Sequence, residues 1–281
     1  MKPDFIVIGP GRTGTTYLYQ SMLEHPDVCM PLHTKEINYF NHEYQRGLAW
    51  YHSFFEHCDP GKVCGEISNT YIYDEQVPAR IQQVLPDVKL ITILRNPFQR
   101  ILSAYQFRLS VGEINGDISF CRAIEIYPDL VTDNYYASQL FRYFNHFPRE
   151  NILVSYFDEL ERSPEQFLER IYRFISVDEG FLTQIADQRI NAAKKLRFPV
   201  LGPLLRFYAD SLRRLQLFSF LEKSKESALF RRILFSESRS QSRIQNIDPD
   251  TMVYLQSFFL PELEKLESLL GVDLSHWYEG N

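Results

Sequence analysis

Phe-Ile-Val-Ile-Gly-Pro-Gly-Arg-Thr-Gly-Thr-Thr, at residues 5 to 16, sets the fold class of this chain. Four apolar residues run into a glycine-rich turn, and apolar residues then recur at helical spacing from Tyr17. This order predicts a strand, a loop and the N-terminus of a helix. Free backbone N–H groups and the helix dipole favour an anion at such a terminus. The stretch therefore predicts a phosphate-binding loop.

The loop differs from that of a typical ATP-binding protein. A Walker A loop reads Gly-x-x-x-x-Gly-Lys-[Ser/Thr], and its lysine reaches the outer phosphates. Counting from Gly9 places Gly14 in register, but Thr15 stands where the lysine belongs, and the cation of the loop is Arg12. This substitution argues against a kinase or an ATPase. A P-loop nucleotide or metabolite kinase stays as one alternative, and a catalytically inactive nucleotide-binding module stays as another.

The composition fits one large α/β domain. The chain has 281 residues, of which 44% are hydrophobic and 15% aromatic, enough for a substantial core. No apolar run reaches the roughly 18 residues of a membrane helix, and the first strand leaves no room for a signal peptide. We expect a cytoplasmic protein with no transmembrane segment and no nucleic-acid partner, with a trimmed Golgi lumenal domain as the alternative.

The four cysteines show no paired metal-ligand spacing, and four are few for a secreted protein of this size. They are Cys29, Cys58, Cys64 and Cys121. We therefore expect them to be reduced and structural.

Strand and helix patterns alternate along the chain, which predicts a mainly parallel central sheet with helices on both faces and a single domain over 1–281. The predicted strands are 4–9, 62–66, 88–94 and 151–155, and the predicted helices are 15–25, 75–85, 97–110, 134–146, 164–176 and 250–270. Ligands of such sheets bind beyond the carboxyl ends of the strands, where Gly9 and Arg95 both fall.

A basic segment at 189–245 holds thirteen Lys and Arg residues against four acids, a net charge of +9 within a chain of net charge −6. Apolar residues at helical spacing between Leu201 and Leu215 predict a mostly helical segment there. One interpretation is a solvated basic helix face. The other is a segment that lines the donor and acceptor cleft over an anionic ligand.

Two further stretches carry candidate site residues. Arg95 ends a buried strand pattern, Pro97 then opens a helix, and Ser103 follows within that helix. A guanidinium there can fork onto a phosphate, although an isolated arginine could equally cap a neighbouring helix. Glu36 follows the first helix, and a partly buried carboxylate there can act as a base. Its alternative is a surface ion pair with Lys35.

Together these stretches resemble the sulfotransferases that use 3′-phosphoadenosine-5′-phosphosulfate (PAPS), notably the bacterial and heparan-sulfate-type branches. The family's 5′-phosphosulfate loop, Gly-x-x-[Lys/Arg]-[Ser/Thr]-Gly-Thr-Thr, matches residues 9–16. Its 3′-phosphate pattern, Arg-x-Pro-x-x-Arg-x-x-Ser, matches 95–103, and its Lys-Glu-x-x-x-Phe segment matches 35–40. Residues 156–160 are similar to a Tyr-Glu-Asp-Leu element near the nucleotide. The resemblance covers most of 4–176 and implies a P-loop-containing sulfotransferase-like fold.

The resemblance also implies a mechanism. Sulfuryl passes in line from PAPS to an acceptor hydroxyl, with Glu36 as the base and Arg12 neutralising charge on the leaving phosphate. His33 is the reserve candidate for the base, because another branch uses histidine, and no metal is expected. The implied donor-site residues are Gly11, Arg12, Thr13, Gly14, Thr15, Thr16, Arg95, Ser103, Tyr156, Lys194 and Arg197.

Two departures from the family pattern bear on the acceptor and the chemistry. Many members carry lysine where this chain has Arg12, and arginine does not release a proton near neutral pH, so it stabilises charge without donating. Heparan-type members have a lysine where this chain has Ile67, which weakens any transfer of their acceptor recognition. An isoelectric point near 5.7 favours a neutral or cationic acceptor, which we expect to be a glycan or a small polar metabolite.

Overall fold

A computed structural model describes residues 1–32, 34–185 and 247–278, and the backbone of two short strands at 194–196 and 235–237. These residues divide into two compact units. The first holds Met1–Asn96 and the described residues of 135–188 and 259–279, and the second holds Pro97–Asn134 and the described residues of 189–258. The single domain expected over 1–281 stays a prediction.

The first unit is built on a parallel sheet of five strands in the order β2-β3-β1-β4-β5. The strands are β1 (Phe5–Gly9), β2 (Val28–Cys29), β3 (Val63–Ile67), β4 (Lys89–Leu94) and β5 (Ile152–Tyr156). Every residue of β1 is buried, as expected for the central strand of a sheet covered on both faces. The predicted α/β fold with a parallel sheet and flanking helices is confirmed, and the four predicted strands agree with the structure to within one residue at each end.

The helices of the described residues agree with the sequence pattern where that pattern is long. They are α1 (Thr15–Glu24), α2 (Gly47–Ser53), α3 (Val77–Val84), α4 (Pro97–Ser110), α5 (Phe120–Ile126), α6 (Asp129–Thr132), α7 (Tyr136–Phe144), α8 (Phe157–Arg162), α9 (Pro164–Ile175) and α10 (Pro249–Leu270). All six predicted helices are present. The four that the sequence did not predict have seven residues or fewer, too short for a periodic signal.

The basic segment lies almost entirely outside the described residues, including the helix predicted between Leu201 and Leu215. Its described part is two antiparallel strands, β6 (Lys194–Leu196) and β7 (Phe235–Glu237). Among the helices of the described residues, none combines the length and the apolar content that crossing a membrane requires.

The cysteine prediction is wrong for one pair. Cys29 and Cys58 form a disulfide with their Cα atoms 5.8 Å apart, while Cys64 and Cys121 are free thiols. The two bonded residues are 29 positions apart: Cys29 ends β2, and Cys58 lies in the segment before β3, the strand that pairs with β2. Sequence spacing alone carries no sign of a contact between residues so far apart in the chain.

Gly9, at the end of β1, is a position where we expect substitution to be severe. Its φ is +107°, and a Cβ built there would lie 2.2 Å from the backbone oxygen of Asn69. Overpacking a side chain against neighbouring atoms costs about 1–3 kcal/mol. A left-handed backbone conformation costs a residue with a Cβ about 1–2 kcal/mol. Gly9→Ala should therefore lower the free energy of unfolding by about 3 kcal/mol, measured by urea denaturation. Gly11→Ala is the control, because its Cβ would meet only Asn69 Cβ at 3.8 Å; equal losses in both variants would contradict this explanation.

Candidate active site

The loop between β1 and α1 closes on itself through hydrogen bonds. Thr13 Oγ1 donates to the carbonyl of Pro10 at 2.8 Å, and Thr92 Oγ1 on β4 donates to the carbonyl of Gly9 at 2.7 Å. Arg12 and Gly14 both have positive φ, of 70° and 87°, so the chain reverses sharply before α1 begins. The geometry is that of a loop delivering a helix N-terminus to a ligand. No acidic residue lies in the first turn of α1, so no side chain of that turn repels an anion.

Lys35 and Glu36 lie beside this loop. Lys35 Nζ donates to Thr15 Oγ1 at 3.0 Å and stands 3.5 Å from Glu36 Oε1. The same carboxylate oxygen accepts a hydrogen bond from Asn69 Nδ2 at 2.6 Å. The surface ion pair considered above is therefore present, but its lysine is bonded to the loop. The Glu36 side chain keeps 33% of its surface exposed, so it is fixed in position and still accessible.

Burial makes Lys35 an unusual cation. Desolvation lowers its pKa, and the neighbouring charge of Glu36 opposes that effect. A poorly hydrated ammonium beside a phosphate-type loop gains more from an anionic ligand than a solvated surface lysine would. The sequence predicted no function for Lys35, because nothing local shows that residues 34–36 fold back onto α1.

A buried carboxylate supports the segment that carries Glu36. Glu66 on β3 is fully buried and accepts hydrogen bonds from Tyr51 Oη at 2.7 Å, Ser68 Oγ at 3.0 Å and Tyr71 Oη at 3.3 Å. Ser68 Oγ in turn accepts the backbone N–H of Asn38 at 3.1 Å, two residues beyond Glu36. The network therefore fixes the segment that carries the candidate base.

Glu66 should make the stability of the protein depend on pH. Burial raises its pKa from 4.5 to about 7, so the folded chain keeps a proton that the unfolded chain has lost between these values. This contribution is present below pH 4.5 and is lost as pH rises through 7, by about 3 kcal/mol. Glu66→Gln cannot ionise, so its free energy of unfolding relative to wild type should rise by that amount across the window.

The measurement is urea denaturation of both proteins between pH 4.5 and 8. Glu56→Gln is the matched control, because Glu56 is exposed and its loss should leave the profile unchanged. A Glu66→Gln profile parallel to that of wild type would show that the buried carboxylate does not retain its proton.

Arg95 is held against the same loop. Its guanidinium Nη1 donates to the carbonyl of Arg12 at 3.2 Å, and its Cζ lies 4.2 Å from the centroid of the Phe157 ring. The backbone carbonyl of Arg95 accepts a hydrogen bond from Tyr136 Oη at 2.9 Å. Stacking on an aromatic face fixes the plane of a guanidinium, which suits forked recognition of a phosphate. The carboxyl ends of β1 and β4 thus bring Arg12 and Arg95 together as expected.

The element after β5 packs on the loop as well. A Cβ at Gly14 would lie 2.4 Å from Leu160 Cδ2 and 3.4 Å from the Phe157 ring. The helix α8 is tied to the preceding strand because Glu159 Oε2 accepts Ser155 Oγ at 2.8 Å and the Tyr156 N–H at 3.2 Å. Burial raises the pKa of the Tyr156 hydroxyl. The Tyr-Phe-Asp-Glu-Leu element therefore packs against the loop, and its expected place near the nucleotide stays a prediction.

The structure describes fewer contacts for the remaining predicted site residues. Ser103 is a buried residue of α4 in the second unit, whereas Arg95 belongs to the first. Lys194 is described as backbone of β6 only, and Arg197 and His33 lie outside the described residues. The assignments of all predicted site residues to a donor, and of Glu36 to the base, stay predictions.

Comparison with known proteins identifies the family. The model of the sulfotransferase domain family matches residues 2–199. The mouse bifunctional heparan sulfate N-deacetylase/N-sulfotransferase 4 is 30% identical over 300 residues, covering 98% of this chain and 31% of that protein. The chain spans less than a third of the length of this protein and of its human counterparts.

Solved structures share the fold. A sulfotransferase from Alicyclobacillus acidocaldarius has a TM-score of 0.69 at 22% identity and covers 99% of both chains. A mouse sulfotransferase complexed with PAP has a TM-score of 0.54 at 14% identity, covering 93% of this chain and 85% of that one. With a family match over more than half of its length and the motifs of the donor loop in place, the chain belongs to the PAPS-dependent sulfotransferase family.

Proposed function

We propose that this domain transfers the sulfuryl group of PAPS in line to a hydroxyl of a carbohydrate acceptor, with Glu36 as the base. The observation that carries the proposal is the bridge from Thr15 Oγ1 through Lys35 to the Glu36 carboxylate, at 3.0 and 3.5 Å. It places a partly exposed carboxylate beside the N-terminus of α1, so base and donor loop are adjacent. The PAP-bound relative of the same fold supports PAPS as the co-substrate.

Each of these residues has a separate role in the proposed reaction. The α1 amides and the loop threonines hold the 5′-phosphosulfate, and Arg95 binds the 3′-phosphate that distinguishes PAPS from ADP and ATP. Glu36 takes the acceptor proton as the acceptor oxygen attacks sulfur and the bond from sulfur to the bridging oxygen breaks. Arg12 and Lys35 stabilise the negative charge that develops on the leaving phosphate. The sulfated acceptor and 3′-phosphoadenosine-5′-phosphate (PAP) then leave.

Two observations bear on the acceptor, and the first favours a carbohydrate. The mouse relative named above is a bifunctional heparan sulfate N-deacetylase/N-sulfotransferase, and it matches this chain over 98% of the chain's length. The name of this relative also makes a sugar amine the second candidate acceptor. The chain is acidic as a whole, which favours an acceptor that does not yet carry many sulfates.

The test is transfer of radiolabel from ³⁵S-labelled PAPS to glucosamine-containing oligosaccharides, offered with either N-acetyl or free amino groups. Labelling of the N-acetylated series supports the proposed hydroxyl acceptor. Labelling confined to the free amines would replace it with N-sulfation. Labelling of small phenols and alcohols but of no sugar would reject the carbohydrate acceptor while leaving the donor chemistry intact.

Lys35 gives a prediction within this mechanism. Lys35→Met keeps the aliphatic stem but removes the charge next to Thr15, so we expect kcat to fall roughly 30-fold, or about 2 kcal/mol. Arg12 still supplies one charge, which limits the loss. Lys35→Arg should recover most of the rate, and Lys265→Met, at an exposed lysine of α10, serves as the control. Full activity of Lys35→Met would remove Lys35 from the mechanism.

A further inference from the structure

Asn69 lies between the donor loop and the candidate base. Its backbone oxygen would be 2.2 Å from a Cβ at Gly9, and its own Cβ would be 3.8 Å from one at Gly11, so it packs against the loop. Its side chain contacts the other partner, because Nδ2 donates to Glu36 Oε1 at 2.6 Å. A single residue therefore touches both the loop and the carboxylate.

The backbone around Asn69 is held by its neighbours and not by this side chain. The Ser68 N–H donates to the carbonyl of Val7 on β1 at 3.0 Å, and the Tyr71 N–H donates to the Ser68 carbonyl at 3.2 Å. Among the described residues, the only hydrogen bond of the Asn69 amide is the one to Glu36. The fold of the segment should therefore survive a change of this side chain.

The orientation of the Asn69 amide leaves one of its atoms unsatisfied. Its Oδ1 is buried and has no hydrogen-bond partner among the described residues. A buried acceptor without a donor is unfavourable, and native structures keep few of them. Because a carboxylate accepts hydrogen bonds and does not donate them, only this orientation lets the amide bond to Glu36. The contact with Glu36 is thus kept in spite of the unsatisfied oxygen.

The two oxygens of the Glu36 carboxylate have different surroundings. Oε1 accepts the hydrogen bond from Asn69 and lies 3.5 Å from Lys35 Nζ. No described residue donates a hydrogen bond to Oε2 or forms an ion pair with it. Oε2 is therefore the oxygen whose lone pairs are left to take a proton.

We propose that Asn69 is a positioning residue for the base: by holding Oε1 of Glu36, it presents Oε2 to the acceptor. This inference rests on the proposed function. In that reaction the acceptor proton passes to Oε2 as the acceptor oxygen bonds to sulfur and the bond from sulfur to the bridging phosphate oxygen breaks. Asn69 takes part in none of these bond changes. It sets the direction of the carboxylate, on which the rate of proton removal depends.

The test is single-turnover transfer from labelled PAPS by Asn69→Leu, Glu36→Gln and the double variant, on the acceptor series that the wild type labels. Leucine has nearly the size of asparagine but cannot donate, so the rate should fall about 30-fold while PAP affinity stays unchanged. In the Glu36→Gln background the same change should cost less than about threefold, because Asn69 acts only through the carboxylate. Fully additive losses would overturn the proposal.

Stability separates this role from a purely structural one. Leucine removes the unsatisfied Oδ1, so Asn69→Leu should melt at the temperature of wild type or above it, although its rate falls. A lower melting temperature together with weaker PAP binding would overturn the proposal. Asn41→Leu is the matched control, because Asn41 donates to Thr70 Oγ1 at 2.8 Å and has no hydrogen bond to Glu36. It should transfer sulfate at the wild-type rate.

The single variants distinguish a failure of this inference from a failure of the proposed function. A wild-type rate for Glu36→Gln, or a wild-type protein that labels no acceptor, would overturn both. A low rate for Glu36→Gln beside a wild-type rate for Asn69→Leu would overturn only the role of Asn69.

Discussion

Glu36→Gln should lower kcat about 1,000-fold while PAP binds as tightly as it does to wild type. General-base catalysis contributes about 10²- to 10⁴-fold, and the amide keeps the shape of the carboxylate without its basicity. Glutamine can still accept a hydrogen bond from Asn69, which donates to Glu36 Oε1 at 2.6 Å, so the segment should stay in place. The loss should therefore appear in the chemical step and not in donor affinity.

The measurement is single-turnover sulfate transfer from labelled PAPS, with PAP affinity determined on the same preparations. Glu43→Gln is the control, at an exposed carboxylate that forms an ion pair with Arg46 at 3.6 Å. His33→Asn tests the reserve base. A rate within tenfold of wild type for Glu36→Gln, together with a large loss for His33→Asn, would move the base from the glutamate to the histidine.

Arg95→Ala should weaken PAP binding about 300-fold. A forked, charge-assisted contact to phosphate combines two hydrogen bonds of about 1.5–3 kcal/mol each, and its loss corresponds here to about 3–4 kcal/mol. The stack on Phe157 and the hydrogen bond to the Arg12 carbonyl hold the guanidinium in one plane before any ligand arrives. Arg95→Lys keeps the charge without the fork, so we expect it to recover only part of the affinity.

The specific readout is a comparison of two ligands. PAP carries the 3′-phosphate and adenosine 5′-phosphosulfate lacks it, so Arg95→Ala should weaken the first far more than the second. Arg122→Ala removes the same charge from an exposed position on α5 and should change neither. Equal weakening of both ligands would indicate that Arg95 acts through the loop and does not contact the 3′-phosphate.

The parts of the fold that the sequence predicted are those with long local patterns. The apolar runs of β1 and β4 and the periodic α9 have clear beginnings and ends, and their bounds agree with the structure within one residue. The two-residue β2 gives no such signal. It nevertheless carries Cys29, which bonds to Cys58 across 29 positions of sequence, a contact between distant segments that no local pattern shows.

In the site, too, residues within local motifs could be predicted and residues that depend on distant contacts could not. The loop motif and Glu36 could be predicted because their residue types and spacing are local. Lys35 could not, because its contact with Thr15 requires the segment to fold back on α1. Glu66 could not either, since a glutamate in a short strand looks like a surface residue until Tyr51 and Tyr71 are seen to surround it.

The most direct test of the account is calorimetric titration of the wild-type protein with PAP, with ADP, and with ATP plus Mg²⁺. The account predicts micromolar binding of PAP that needs no metal and is much tighter than that of either competitor, because the loop lacks the lysine that holds the outer phosphates of ATP. Preferential binding of ATP with Mg²⁺ would contradict it and would favour a P-loop kinase instead.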